Sequence, residues 1–100
     1  MRVKLVRDRQ EPVREGDEIQ PANSRAGKLL ALKAKLHEEI EEIALQPDDP
    51  LEYADVLELV LEHARECGVP WADIEESLST KRRRKGGFKR GMILLNARMT

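Results

Sequence analysis

Residues 29–61 read LLALKAKLHEEIEEIALQPDDPLEYADVLELVL, and the fold depends on how this run divides. Leu29, Leu32, Leu36, Ile40 and Ile43 recur at steps of three and four, which places them on one stripe of a helix. Gln46 and Pro47 end it, because proline disfavours helix in the residue before it. Asp49 then reads as an N-cap and Pro50 as a first-turn proline. A second helix follows from Pro50 to about Cys67, where Gly68 and Pro70 stop it. Leu51, Ala54, Val56, Leu57, Leu59, Val60, Leu61 and Ala64 spread around much of its girth. Such a helix is buried on more than one side, or it also meets another subunit. The link 46–49 is short enough to make the two helices antiparallel neighbours.

Outward from this hairpin the signals weaken. A third helix is expected from Trp71 to about Arg84, with Trp71, Ile74 and Leu78 inward and Gly86-Gly87 as the break. Residues 2–6 alternate polar and apolar and are compatible with a short strand. Residues 8–28 are poor in apolar side chains and punctuated by Pro12, Gly16, Pro21 and Gly27, so they read as loop. Residues 92–95 look like a short apolar strand or an interface segment. The expected class is all-α: an antiparallel helix hairpin plus a third helix. It forms one domain over residues 1–100, with an N-terminal segment and loop at 1–28, a helical core at 29–85 and a tail at 86–100.

Composition narrows the class. The chain has 100 residues, 40% apolar and 37% charged, with three aromatic residues in all. A core must therefore come from Leu, Ile, Val and Ala, and a subunit that completes it by oligomerising is expected. The single Cys67 rules out a disulfide scaffold. The longest apolar runs, 29–32 and 92–95, are far shorter than the ~20 residues a membrane span needs. The start is charged from Arg2 to Arg9, so no signal-peptide core is expected and the cytoplasm is the default compartment. The net charge of −1 hides a segregation. Residues 36–76 hold 14 acidic residues against Arg65 alone, whereas residues 77–100 hold eight basic residues and no acidic one. This pattern fits either solvated acidic faces balanced by a basic segment, or a site that holds a cation beside a polyanion.

The carboxylates are spaced for the second use. Glu39 and Glu42 are three apart on the first long helix, and Glu52 and Asp55 are three apart on the second. In an antiparallel hairpin the two pairs fall within roughly 3 Å of the same level. Four carboxylates facing across ~8–10 Å would repel. A divalent cation removes the conflict, and an all-oxygen set from Asp and Glu suits Mg²⁺ or Mn²⁺. Glu38 and Glu41 fit solvent-facing positions as well. Glu52, three residues after Asp49, also fits the third-position acid of a capping box. Asp55 is harder to explain without a partner, since it sits inside a helix between Ala54 and Val56-Leu57.

Glu38-Glu39-x-x-Glu42 followed by Glu52-x-x-Asp55 resembles the paired motif of the MazG-like all-α NTP pyrophosphatase superfamily. Lys4-Leu-Val-Arg-Asp8 at the start and Lys81 to Phe88 at the end resemble its phosphoribosyl-ATP pyrophosphohydrolase-like branch. The resemblance implies a four-helix-bundle-like assembly completed by oligomerisation, as a homodimer or homotetramer. It also implies Mg²⁺-dependent cleavage of a nucleoside triphosphate, or of phosphoribosyl-ATP, between the α- and β-phosphates. Carried over by position, Glu39, Glu42, Glu52 and Asp55 become metal ligands. Glu38 becomes either a residue that supports the ligands from behind or one that helps orient the attacking water.

Phosphates need cations. Lys81, Arg84 and Lys85 share a helical face, and Lys4 and Arg7 are further candidates for holding substrate. The same run also fits a solvated helix C-terminus. The rival function is a non-catalytic helical interaction module whose basic tail binds nucleic acid or another polyanion. No helix-turn-helix or RNA-module signature accompanies that tail, which weighs against nucleic acid. His37 and His63 read as flank residues, without ligand spacing to each other or to Cys67.

Overall fold

The computed structural model describes residues 3–96. Three helices follow in order, α1 (Arg25–Leu45), α2 (Pro50–Glu66) and α3 (Trp71–Lys85), and the described residues contain no strand. The fold is all-α, with α1 packed on α2. The short strands expected at residues 2–6 and 92–95 are not found at residues 3–6 and 92–95, and Arg2 lies outside the described residues; a strand needs a neighbour to pair its backbone, and none is present among the described residues.

Helix α1 begins at Arg25, one turn earlier than the apolar pattern predicts. Ser24 is its N-cap, in extended backbone, and its hydroxyl accepts the Gly27 N–H at 3.0 Å. The added turn is held by charge. Lys28 Nζ lies 3.0 Å from Glu62 Oε1 and 2.9 Å from Glu66 Oε2 near the far end of α2, and the Arg25 guanidinium donates to the Glu66 carbonyl. At the other end, the Gln46 N–H closes α1 on the Glu42 carbonyl, and the Asp49 N–H donates to the Gln46 carbonyl. The Asp49 carboxylate caps α2 by accepting the Leu51 N–H at 2.9 Å, and Pro50 occupies the first turn. The Tyr53 hydroxyl donates to the Pro47 carbonyl and pins the turn to the helix it starts. Gly68 takes φ 77° at the end of α2, the left-handed conformation expected after a helix.

Leu32, 3% exposed, is the one buried apolar side chain among the described residues. Leu29, Leu36 and Ile43 are half-buried, but Ile40, expected on the same buried stripe, is 51% exposed. The reason lies in the helix-to-helix contact. The buried line of α1 runs through Leu32 and Glu39, rotated about 50° from the centre of the apolar stripe at 100° per residue. Helix α2 therefore packs on the border between apolar and charged faces. It too has two faces: Val56 and Leu59 turn partly inward, while Tyr53, Leu57 and Val60 form a second apolar row that is about half exposed.

The chain divides into two compact units, Met1–Val69 and Pro70–Thr100. Helix α3 belongs to the second. It has no side-chain cap, and the Gly86 N–H closes it on the Arg82 carbonyl. Trp71 and Leu78, expected inward, are exposed, and Ile74 is half-buried. Three apolar side chains on a helix otherwise polar cannot bury themselves without a packed neighbour, and this unit has no second helix among the described residues.

Candidate metal centre

The register of the hairpin sets the site. Glu39 lies six residues before the end of α1, and Glu52 and Asp55 lie in the first two turns of α2, so the turn brings them level. One carboxylate oxygen from each of Glu39, Glu52 and Asp55 lies within 4.8 Å of the other two. Glu39 is buried, at 6% exposure, and the other two are half-buried. A buried carboxylate needs a partner, and Lys35 Nζ supplies one at 3.0 Å from the preceding turn. Among the described residues, no cation pairs with Glu52. Partial burial, a hydrogen bond shared with Glu39 and the charges of Glu39, Glu42 and Asp49 push it above the usual carboxylate range.

Asp55 accepts from Arg7 Nη2 at 2.5 Å, and Arg7 Nη1 lies 3.7 Å from Glu58 Oε1. Glu38 sits at the edge of the cluster, 3.1 Å from Lys4 Nζ and 3.5 Å from Lys35 Nζ. Lys4 first, then Lys35, hold Glu38 below the usual carboxylate range. Glu42 is half-buried one turn beyond Glu39; it is outside the converging trio but acts on Glu52 through its charge. The capping-box alternative for Glu52 has no donor to use, because the Asp49 N–H is spent on the Gln46 carbonyl.

The donor set is all oxygen, and one member is buried. This fits a hard divalent cation such as Mg²⁺ or Mn²⁺. Lys81, Arg84 and Lys85 lie in the second unit, where they line one face of α3 with Glu76, Ser77 and Thr80. The sequence reading missed Lys35 and Glu58. Lys35 was visible as the residue four before Glu39; Glu58 had no such signal, since Arg7 comes from 51 positions away. It also missed that His63 in the last turn of α2 and Cys67 at its C-cap approach to 3.8 Å between Nδ1 and Sγ. No third ligand-type side chain joins that pair among the described residues.

Comparison with protein families matches residues 26–86 to the dATP/dGTP pyrophosphohydrolase family. The chain belongs to this family. The matched stretch holds all four motif carboxylates, Glu39, Glu42, Glu52 and Asp55, together with Glu38 and the α3 cations. It excludes Lys4 and Arg7. The dATP/dGTP pyrophosphohydrolase family is all-helical and NTP pyrophosphatase-like, in keeping with the MazG-like motifs. Neither the curated proteins nor the solved structures yield a match. No helix among the described residues is long and apolar enough to cross a membrane.

Proposed function

We propose that this chain hydrolyses a purine deoxynucleoside triphosphate, dATP or dGTP, to the monophosphate and pyrophosphate, using Mg²⁺ with Mn²⁺ as a substitute. The observation that carries this reading is the convergence of Glu39, Glu52 and Asp55 across the hairpin, in a stretch that matches the family. These three residues would hold the ion, with Glu42 on the next turn as a further ligand. When bound, Mg²⁺ neutralises and polarises phosphate oxygens, so that charge developing there is stabilised. Glu38, kept ionised by its lysines, is suited to orient a water for in-line attack rather than to take its proton. Lys81, Arg84 and Lys85 present guanidinium and ammonium groups of the kind that grip phosphates. A second copy of the chain would cover the apolar row Tyr53, Leu57 and Val60 and so complete a helical bundle.

The test is a substrate panel. Purified protein with Mg²⁺ is given dATP, dGTP, ATP, GTP, pyrimidine deoxynucleotides and phosphoribosyl-ATP, and pyrophosphate is assayed. Pyrophosphate release fastest with dATP or dGTP, and lost with EDTA, is the expected result. Release of inorganic phosphate instead, or no release from any member, overturns the reading.

A further inference from the structure

The N-terminal segment brings one cation to each helix of the hairpin. Lys4 reaches Glu38 on α1 at 3.1 Å, and Arg7 reaches Asp55 on α2 at 2.5 Å. Among the described residues, these two side chains make the only ion pairs between residues 3–24 and the hairpin. Arg7 serves two carboxylates, Asp55 and Glu58, and its side chain is 62% exposed.

We infer that Arg7 is a displaceable counter-ion: its guanidinium and a divalent cation compete for Asp55, so that arrival of the ion frees Arg7 and loosens the N-terminal segment. This rests on the metal reading above. The charges favour exchange over coexistence. Arg7 holds Asp55 at 2.5 Å, and the same carboxylate offers an oxygen within 4.8 Å of Glu39 and Glu52, so an ion gathered by the three would lie close to the guanidinium. Departure of Arg7 removes a cation that would otherwise repel the ion at close range. Departure is also cheap, because exposed ion pairs are weak and Glu58 keeps a second carboxylate nearby for the guanidinium. A guanidinium freed at the edge of the site is then available for bidentate contact with a polyphosphate. The opposite role is Arg7 as a fixed partner that orients Asp55 for the metal. The two roles give opposite signs when Arg7 is removed.

The experiment uses the full chain and Mg²⁺ alone as the probe. Calorimetry compares the wild type with Arg7→Gln, Arg7→Lys and Asp55→Asn, and side-chain NMR follows the Arg7 guanidinium of the wild type during the titration. Competition predicts Mg²⁺ binding about two- to fivefold tighter in Arg7→Gln, the range set by an exposed ion pair. Arg7→Lys should stay near the wild type, because it keeps the charge. The Arg7 guanidinium signals should move away from their metal-free positions as Mg²⁺ saturates the site. Equal or weaker binding in Arg7→Gln, or Arg7 signals unmoved at saturation, overturns the inference while the metal site stands. Absence of any Asp55-dependent Mg²⁺ binding in the wild type overturns the metal reading, and the inference with it.

Discussion

Asp55 and Glu52 hold the tension of the site between them. Asp55 is satisfied by Arg7, whereas among the described residues the charges that act on Glu52 are those of other carboxylates, which push it toward its protonated form. A divalent ion bound to the native state alone stabilises it by RT ln(1 + [L]/Kd), about 2.7 kcal/mol at a hundredfold excess over Kd. Mg²⁺ or Mn²⁺ should therefore raise the melting temperature of the wild type by several degrees or more. Asp55→Asn should abolish both that shift and pyrophosphate release. Glu52→Gln should also lose the shift, yet melt at the same temperature as the wild type or higher without metal. The reason is that Glu52 has no capping role to lose and its charge repels Glu39 and Glu42. Thermal melts with and without metal decide the matter; a Glu52→Gln variant that keeps the metal shift would remove Glu52 from the ligand set.

At the level of elements, the two ends of the hairpin are built from different forces. The turn end is fixed by backbone caps and Tyr53, and the open end by ions: Glu62 is paired with both Lys28 and Arg65, and Glu66 with Lys28 and Arg25. Arg65 first, then Lys28, lower the Glu62 carboxyl from 4.5 to about 2. A carboxylate whose folded value is depressed adds stability that is complete above its unfolded value. That contribution is lost as the pH falls toward the folded one. The hairpin should therefore weaken between about pH 4.5 and pH 2 as Glu62 takes up its proton. These pairs are solvent-accessible, so removal of Glu62 should cost only about 0.5–1 kcal/mol at neutral pH. Urea midpoints of the wild type and Glu62→Gln should differ at pH 7 and converge near pH 2. A difference that persists undiminished at pH 2 would exclude the ion pairs as its source.

For the whole molecule, the limiting quantity is apolar burial. One buried leucine among the described residues does not hold two helices of 21 and 17 residues together, and Ile40, Tyr53, Leu57 and Val60 remain about half exposed. Light scattering at micromolar concentration should give the mass of a dimer or larger. Leu57→Asp should shift that mass toward the monomer and lower the melting temperature together with it, since the same face would serve both assembly and stability. A monomeric wild type would leave this apolar row without a partner of its own kind.

The local grammar of residues 29–70 was sufficient for the hairpin. Spacing of leucines, Pro47, the Asp49-Pro50 start and Gly68 each act within a few residues of chain, and backbone sterics make their effects independent of the rest of the fold. The level of Glu39 with Glu52 and Asp55 was legible for the same reason, being set by helix rise and a short link. Other features were decided only by tertiary packing. The first turn of α1 looked like loop because its stabilising partners, Glu62 and Glu66, are more than 30 residues away. The rotation that buries Glu39 and exposes Ile40 depends on which face α2 selects, and periodicity in one helix carries no information about its neighbour. The pairing of Arg7 with Asp55 spans 48 positions, and a long-range ion pair leaves no periodic trace in the sequence. Sequence thus determined which residues could share a helix face. Only the packed hairpin determined which of those faces met, because that choice depends on the side chains of both helices and on long-range ion pairs such as Lys28 with Glu62 and Glu66.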